Sequence, residues 1–284
     1  MTTEPMISGR AKLAGVMGWP VSHSLSPRLH GFWLQAHKID GAYLPLAVAP
    51  ENLEAALRAL PLMGFRGVNL TLPHKELALG IVDDIDKSAK RIGAVNTIVV
   101  NDEGALIGSN TDGFGFIENI RRAQPNWKAD TGPVVILGAG GATRAICVAL
   151  QEAGAEDITL MNRTREKAEK LSDEFDLNVR DWQDRGAQLG GAALLINTTS
   201  LGTVGQTGLD LSLDALPPDA LVCDIVYTPL ETELLRAAEK RGNPTVDGLG
   251  MLLHQAPPGF AAWFGVEPEV TEELRRFVLA ATLV

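Results

Sequence analysis

The sequence has little of what builds a disulfide framework, a zinc site or a membrane span. Its 284 residues include only two cysteines, Cys147 and Cys223, and each stands inside an apolar run. Such thiols are typical of buried core residues in a reducing compartment. No apolar run is long enough to cross a bilayer, and the N-terminus lacks the pattern of a secretory signal. We therefore expect a cytoplasmic protein without membrane attachment or a bound metal.

Positive charge is also scarce. There are 25 Lys and Arg residues against 35 Asp and Glu residues, which gives a formal net charge of −10. An acidic surface argues against a nucleic-acid backbone or an anionic membrane as the main partner. The length favours about two domains. We expect a folded α/β protein that acts on a small molecule, as a monomer or a homodimer.

A glycine-rich turn is the most informative feature that is present. The apolar run 133–137 meets the turn Gly138-Ala139-Gly140-Gly141-Ala142, and a helical pattern follows. This order is typical of the phosphate-binding corner of a dinucleotide fold, in which Gly138 permits the turn and the next glycines let backbone N–H groups approach a pyrophosphate. Thr143 stands where the common spacing has its last glycine. Taken alone, the segment is weak evidence and also fits a turn that binds no ligand.

The end of the next predicted strand indicates which dinucleotide binds. That strand, 157–161, is followed by Asn162-Arg163-Thr164, where this fold usually has an acidic residue for a ribose 2′-hydroxyl. A guanidinium at this place attracts a 2′-phosphate instead. The Thr164 hydroxyl and Lys167, one helical turn further, add to the site. We therefore predict NADP(H) as the cofactor.

The pattern of elements predicts two domains. Strand and helix candidates alternate over 12–100, including a helix over 50–60, and a hairpin turn is predicted at 101–104. From residue 133 the alternation becomes regular, and its first helix is predicted over 141–152. We predict a substrate-binding catalytic domain over 1–112, completed by 250–284, and an NADP-binding domain over 113–249. The second domain is expected to be a doubly wound parallel sheet, because helices separate its consecutive apolar strands. The C-terminal helices are expected to return to the first domain.

Three further clusters carry chemistry. Lys75 follows a predicted strand that Pro73 ends, at the edge where open α/β sheets bind ligands. Asp112 stands at the junction of the two predicted domains. The serines of the segment 22–27 precede a helix that begins with a proline, and their hydroxyls suit a carboxylate. Each cluster alone also fits a simpler role, as a solvated lysine, an N-cap or a set of helix caps, and His74 fits a structural role.

Taken together, these clusters resemble the shikimate dehydrogenase family over nearly the whole chain. The matching segments, in order, are Ser22–Pro27, Asn69–Lys75, Gly93–Thr97, Gly108–Gly113, Gly138–Ala142, Asn162–Thr164, Asn197–Ser200, Asp224–Tyr227 and Asp247–Gln255. Two departures are Leu70, where valine is usual, and Lys167, where an arginine often reaches the 2′-phosphate. The second departure affects only how the phosphate is held.

The resemblance implies a role for each matching residue. Lys75 and Asp112 would form the catalytic pair. The substrate would be bound by Ser24, Ser26, Thr71, Asn96, Asp112, Tyr227 and Gln255. The cofactor would be bound by Gly138, Ala139, Gly140, Gly141, Ala142, Asn162, Arg163, Thr164, Lys167, Thr199, Ile225, Gly248 and Met251.

The activity that the resemblance implies is the reversible, NADPH-dependent reduction of 3-dehydroshikimate to shikimate, a step of chorismate and aromatic amino acid biosynthesis. A lysine ammonium suits this reaction because it supplies both a proton and a positive charge to the developing alkoxide. Two alternatives remain. A relative that prefers quinate or an aminated ring would carry the same motifs, and a non-catalytic NADP-binding regulator would keep the fold without turnover.

Overall fold

The computed structural model describes residues 7–280, and they form two compact units. The first unit runs to Thr111 and resumes at Leu253, and the second is Asp112–Leu252. The predicted first domain comprises 1–112 and 250–284. In the structure, Asp112 and residues 250–252 belong to the second unit instead. The ends of the predicted first domain, residues 1–6 and 281–284, lie outside the described residues.

The described chain contains the following regular elements. The strands are β1 (Lys12–Gly18), β2 (Gly41–Ala47), β3 (Phe65–Leu70), β4 (Asp84–Ile85), β5 (Thr97–Val100), β6 (Leu106–Ser109), β7 (Val134–Leu137), β8 (Ile158–Met161), β9 (Asn178–Val179), β10 (Leu194–Asn197), β11 (Leu221–Asp224) and β12 (Thr245–Val246). The α-helices are α1 (Ser26–Ala36), α2 (Leu53–Ala59), α3 (His74–Leu77), α4 (Lys87–Ile92), α5 (Asp112–Ala123), α6 (Gly141–Glu152), α7 (Arg165–Phe175), α8 (Glu233–Arg241), α9 (Leu249–His254), α10 (Pro257–Phe264) and α11 (Glu272–Leu279). Short 3₁₀ turns occur at Pro50–Asn52, Pro61–Met63, Ala78–Gly80, Trp182–Asp184 and Ala187–Leu189.

The first unit is built on a mixed six-stranded sheet with the order β2-β1-β3-β5-β6-β4. Strand β1 pairs parallel with β2 and β3, whereas β5 pairs antiparallel with β3 and β6. The predicted hairpin at 101–104 joins β5 to β6. Pro45 lies in the edge strand β2, the position in a sheet where proline disturbs no ladder on its outer side. The core on one face includes Leu57, Val68 and Ile98.

The C-terminal helices complete this unit, as the sequence predicts. Helices α10 and α11 belong to the same compact unit as β1–β6. The indole Nε1 of Trp263 donates a hydrogen bond to the Ile98 carbonyl at 3.0 Å. Gly67 makes this approach possible, because a Cβ there would lie 2.3 Å from that nitrogen and 2.0 Å from the Ile98 oxygen. The return of the chain is therefore fixed by close contact on the sheet.

The second unit is a parallel sheet with the order β12-β11-β10-β7-β8-β9. In chain order this is 3-2-1-4-5-6 read from β9, the arrangement of the doubly wound dinucleotide-binding fold. Its strands are four residues long or shorter and are almost fully buried in the centre, including Ile136, Leu160 and Ile196. The predicted α/β fold class is confirmed. Among residues 7–280, no helix is long and apolar enough to cross a membrane.

Candidate active site

The predicted substrate-site residues of the first unit gather at one edge of its sheet. Five of them follow β1 or β3 or precede β5, and the sixth lies between α9 and α10: Ser24, Ser26, Thr71, Lys75, Asn96 and Gln255. Strands β1 and β3 are parallel, so their carboxyl ends share an edge. Strand β5 is antiparallel to β3 and pairs Thr97 with Asn69, so its beginning lies at that same edge. The arrangement agrees with the expected location of a ligand site in an open α/β sheet.

Neither serine occupies the N-cap position of helix α1. The N-cap residue is Leu25, and no side chain caps this helix end. Ser24 Oγ accepts a hydrogen bond from the Ser26 backbone N at 3.3 Å, which leaves the Ser24 hydroxyl proton to donate elsewhere. The Ser26 side chain is buried and hydrogen-bonds with Tyr43. Ser24 thus satisfies one backbone N–H of the first helical turn and keeps a proton for a ligand, so its geometry is compatible with both roles.

A buried tyrosine that the sequence analysis missed connects two parts of this edge. Tyr43 Oη donates to Asn69 Oδ1 at 2.6 Å, and His30 stacks on the phenol ring with centroids 3.9 Å apart. Burial raises the pKa of Tyr43 well above its usual value, and the weaker effect of the Ser26 hydrogen bond opposes this. Burial also lowers the pKa of His30 to about 3, so the stacked ring is neutral. Tyr43 stays a protonated phenol and links Ser26 to Asn69.

Asn69 and Asn96 extend this network. Asn69 Nδ2 donates to the Asn96 carbonyl and to Thr97 Oγ1, each at 3.1 Å. Asn96 Oδ1 accepts from the Thr111 backbone N at 2.9 Å, and Asn96 Nδ2 donates to Thr111 Oγ1 at 3.1 Å and to Gln255 Oε1 at 3.5 Å. Two of the predicted ligands of the substrate hydroxyls, Asn96 and Gln255, are thus brought into direct contact. Their sequence separation of 159 residues left no local signal for the pairing.

A backbone hydrogen bond fixes Lys75 next to the segment that carries Asn96. Its carbonyl accepts a hydrogen bond from the Val95 backbone N at 2.8 Å. His74 is fully buried, and its Nε2 lies 2.8 Å from the Val48 carbonyl, in agreement with the structural role expected for it. Burial lowers the pKa of His74, against a smaller upward effect of that hydrogen bond. Thr71 directly follows β3, and its backbone N donates a hydrogen bond to the Met17 carbonyl at 2.9 Å.

The remaining substrate-site residues belong to the second unit. Asp112 is the first residue of α5 and is buried, whereas Lys75 belongs to the first unit. Tyr227 follows β11, and burial raises the pKa of its phenol. Helix α5 also orders the segment of Gly248 and Met251, because Asn119 Nδ2 donates to the Asp247 carbonyl at 2.7 Å. The sequence analysis did not identify Asn119.

The glycine turn has the shape that a phosphate requires. Gly138 has φ +117°, and a Cβ there would lie 2.4 Å from Thr198 Oγ1, so only glycine is tolerated. A Cβ at Gly140 or Gly141 would meet no protein atom within 4 Å, so the space beside them is open. Helix α6 begins at Gly141, and its first N–H groups have no partner within the helix. This chain therefore fits a pyrophosphate at that helix end.

Four predicted cofactor residues, including the three expected to hold the 2′-phosphate, lie together after β8. Asn162 Nδ2 donates to the Thr164 carbonyl at 2.7 Å, which fixes the turn. Thr164 is the N-cap residue of α7, but its hydroxyl makes no capping bond, so it remains able to reach a phosphate. Arg163 and Lys167 are exposed. Arg165 is different, because it pairs with Glu169 at 2.7 Å and with Asp181.

The ends of β10 and β11 are tied by a buried carboxylate. Asp224 accepts hydrogen bonds from Asn197 Nδ2 at 3.0 Å, from Thr232 Oγ1 at 2.7 Å and from the Val226 backbone N at 3.0 Å. Burial raises the pKa of Asp224 to about 6 even though these donors favour the charged form. Asn197 Oδ1 in turn accepts from the Thr199 hydroxyl at 2.7 Å.

The remaining residues predicted to bind the cofactor lie next to this junction or on the helix that follows it. The Ile225 backbone N donates to the Asn197 carbonyl at 3.0 Å. A Cβ at Gly248 would lie 2.2 Å from the Ile225 oxygen, so glycine is required where the two segments meet. Met251 lies on the short helix α9 and is half-buried. Within residues 7–280, no group of three His, Cys, Asp or Glu side chains is arranged to hold a metal ion.

Fold and site together define a class of protein. One unit carries a dinucleotide-binding sheet with a basic ribose corner, and the other carries a buried amide and hydroxyl cluster beside a lysine, which is typical of a nicotinamide-dependent oxidoreductase acting on a small hydroxylated molecule. Residues 16–98 match the family described as the shikimate dehydrogenase substrate binding domain, and residues 121–204 match shikimate / quinate 5-dehydrogenase. The chain belongs to the shikimate dehydrogenase family.

Individual relatives are similar over their full length. The NADP(+) shikimate dehydrogenase of Paramagnetospirillum magneticum is 59% identical, covering 96% of this chain and 100% of the relative. The structure of shikimate 5-dehydrogenase from Thermus thermophilus, in complex with NADP(H) and shikimate, is 37% identical with a TM-score of 0.83, covering 96% of this chain and 98% of that one. Quinate dehydrogenase from Corynebacterium glutamicum, in complex with NAD, is 30% identical with a TM-score of 0.88, covering 95% and 99%.

Proposed function

We propose that the chain catalyses the reversible reduction of 3-dehydroshikimate to shikimate with NADPH, in the pathway through chorismate to the aromatic amino acids. The observation that carries this proposal is the buried cluster of Asn96, Thr111 and Gln255 beside Lys75. These side chains are buried and hydrogen-bond with one another at the sheet edge where open α/β folds bind ligands, which supports a role in binding. The 59% identity to an NADP(+) shikimate dehydrogenase supports the same assignment.

The residues of the first unit suit a hydroxylated carboxylate. Ser24 has a hydroxyl proton to donate, and Ser26 can turn its own from Tyr43 to a substrate oxygen. We propose that both bind the carboxylate, and that Thr71, Asn96 and Gln255 bind the ring hydroxyls. Hydrogen bonds to a charged acceptor are worth about 1.5–3 kcal/mol each, which is enough to orient the ring. Tyr227 and Asp112 are the contributions proposed from the second unit.

The proton transfer is assigned to Lys75. When bound, NADPH supplies a hydride to the C3 ketone of the substrate. We propose that the Lys75 ammonium donates its proton to the ketone oxygen as negative charge develops there, which yields the C3 alcohol and a neutral amine. In the reverse direction the amine accepts the hydroxyl proton. Asp112 is proposed as the other member of the catalytic pair and as an acceptor for a ring hydroxyl.

The cofactor assignment rests on residues of the second unit. We propose that the open glycine turn and the N-terminus of α6 bind the pyrophosphate, and that Arg163, Thr164 and Lys167 bind the 2′-phosphate beside Asn162. Thr199, Ile225, Gly248 and Met251 are proposed to lie against the nicotinamide half. Because residue 248 is a glycine, its backbone lies close to Ile225, and this close packing supports a shared surface for the nicotinamide half.

The experiment that tests the function is a set of initial-rate assays. Shikimate and quinate are each oxidised with NADP and with NAD at matched concentrations. The proposal predicts that shikimate with NADP gives the highest kcat/KM of the four combinations. A higher value for quinate would favour the quinate-preferring alternative, and a higher value for NAD would contradict the NADP assignment. NADPH binding without turnover would favour the non-catalytic regulator.

Compartment and assembly are finer points of the same proposal. We propose a cytoplasmic enzyme, because Cys147 and Cys223 are buried free thiols. A monomer or a homodimer is proposed for the assembly. Light scattering on a sizing column would distinguish the two, and a larger assembly would contradict both.

A further inference from the structure

A buried threonine links the glycine turn to the neighbouring strand. Thr143 stands where the dinucleotide fold has its last glycine, and its side chain is fully buried. Thr143 Oγ1 accepts a hydrogen bond from the Gly140 backbone N at 3.0 Å. The same oxygen lies 2.8 Å from Thr198 Oγ1, just beyond the end of β10. None of the roles proposed above uses this hydroxyl.

The direction of each hydrogen bond in this chain of contacts is determined. Thr198 Oγ1 lies 2.8 Å from the Leu137 carbonyl, which has no proton, so Thr198 must donate to it. A hydroxyl has one proton. The bond between the two threonines is therefore donated by Thr143, whose oxygen in turn accepts from Gly140. The result is one relay that runs from the turn to the end of β7.

The relay decides which backbone groups face a ligand. The N–H of Gly140 is directed to Thr143, so it is not available to a phosphate. The N–H groups of Gly141 and Ala142 are at the start of α6 and have no partner within the helix. The relay also holds the Thr198 side chain close to the backbone of Gly138, the first glycine of the turn. The shape of the turn thus depends on one hydroxyl.

We infer that Thr143 is a positioning residue for the pyrophosphate of the dinucleotide, an inference that rests on the proposed NADP site. Its hydroxyl draws the Gly140 N–H inward and leaves those of Gly141 and Ala142 to bind the pyrophosphate oxygens. In the common motif a glycine at this place only allows close packing of helix on strand. Here the threonine replaces that packing with a directed hydrogen bond.

The test compares Thr143→Val with Thr143→Ser. Valine keeps the volume and removes the hydroxyl, whereas serine keeps the hydroxyl. The matched control is Thr159→Val on β8, whose hydroxyl makes no hydrogen bond to any residue that the structure describes. Dissociation constants are measured for NADPH and for NADH by fluorescence, and the inhibition constant is measured for 2′-AMP, which carries a 2′-phosphate but no pyrophosphate.

The relay predicts a specific pattern. Thr143→Val should raise the dissociation constants of NADPH and NADH by the same factor, about tenfold, which corresponds to about 1.4 kcal/mol. The inhibition constant of 2′-AMP and the KM of shikimate at saturating NADP should stay within about twofold of wild type, since neither involves the pyrophosphate. Thr143→Ser and Thr159→Val should bind like the wild type. Thr198→Val, which removes the acceptor of the relay, should weaken both dinucleotides as well.

Other outcomes would overturn the inference. Unchanged dinucleotide binding in Thr143→Val would show that the hydroxyl does not position the pyrophosphate. Equal weakening by valine and serine would show that the hydroxyl alone does not account for the effect, because serine keeps it. Equal weakening of 2′-AMP would indicate general damage to the unit. If Thr143→Val does not fold, wild-type affinity in Thr198→Val overturns the relay. Absence of NADPH binding in the wild type would contradict the proposed function itself, along with the inference that rests on it.

Discussion

Two nearby arginines differ in what they already contact. Arg165 is paired with Glu169 and Asp181, whereas Arg163 makes no ion pair with any residue that the structure describes. A guanidinium without a partner, exposed in a chain of net charge −10, has an electrostatic reason to bind an anion. The same residue type thus has a structural role at one position and a proposed ligand role two positions earlier.

Replacing Arg163 with alanine should weaken NADP selectively. We expect a loss of about 1.5–3 kcal/mol in NADP binding, the typical value of hydrogen bonds to a charged group, and little change for NAD, which has no 2′-phosphate. The measurement is the ratio of kcat/KM for NADP to that for NAD. Arg165→Ala is the neighbouring control and should leave this ratio nearly unchanged. An unaltered ratio in Arg163→Ala would remove this residue from the cofactor site.

Lys75 offers a second test at this scale. Lys75→Ala should lower kcat by about 10²–10⁴-fold, the typical contribution of a general acid or base, while NADP affinity is nearly kept. Lys90→Ala, an exposed lysine of the same unit on α4, is the control and should retain wild-type rates. Near-normal kcat in Lys75→Ala would assign proton transfer to another group.

Single residues also show what the sequence could and could not provide. The glycine turn, Arg163 and Lys75 could be predicted as site residues because each follows a strand, and strand ends can be recognised locally. Tyr43 was not, because its contact with Asn69 depends on β1 lying between β2 and β3, which no local pattern states. Asn119 was missed for the same reason, since it acts on a segment 128 residues away.

At the scale of elements, long periodic segments were predicted well and short ones poorly. The predicted helix over 141–152 has the bounds of α6, and the predicted strand 157–161 differs from β8 by one residue. The predicted helix over 50–60 is divided into a 3₁₀ turn and α2. Helix α4 was overlooked, although its N-cap Asp86 accepts from the Ala89 backbone N, because six residues are too few to show a period.

The junction of β10, β11 and α8 gives a prediction about pH. Burial raises the pKa of Asp224 from its usual 3.8 to about 6, so between about pH 4 and pH 6 the folded protein keeps a proton that the unfolded chain has lost. The contribution of Asp224 to stability is therefore fully present below about pH 4 and is lost as the pH rises through 6. Two pKa units correspond to roughly 2–3 kcal/mol as an upper estimate.

Urea unfolding at several pH values between 4.5 and 7.5 measures this contribution. Asp224→Asn keeps an acceptor for Asn197 and Val226, and Thr232 can accept from its amide, so the variant is expected to fold. Its free energy of unfolding should change less with pH across this range than that of the wild type. Identical slopes for the two proteins would show that Asp224 does not titrate in this window.

At the scale of the whole molecule, the first unit is closed by the far end of the chain. Helix α10 packs on β1, β3 and β5, and α11 packs on α1. Trp263, Phe260 and Trp33 surround His30 in one aromatic cluster that lies next to Tyr43. The C-terminal segment therefore supplies part of the core on which the proposed substrate site is built, in addition to Gln255.

Replacing Trp263 with alanine tests this dependence. The change removes a buried indole and leaves the Ile98 carbonyl without its donor, so we expect a loss of about 3–5 kcal/mol, the usual range for a large core aromatic. The loss should concentrate in the first unit, because the contacts of Trp263 described above are with residues of that unit. Hydrogen exchange should accelerate in β3 and β5, while β7, β8 and NADPH affinity change little. Trp19→Ala removes an indole that is 52% exposed and should cost far less. Equal acceleration in both units would mean that they unfold as one, and the C-terminal return would then stabilise the whole molecule rather than its first unit.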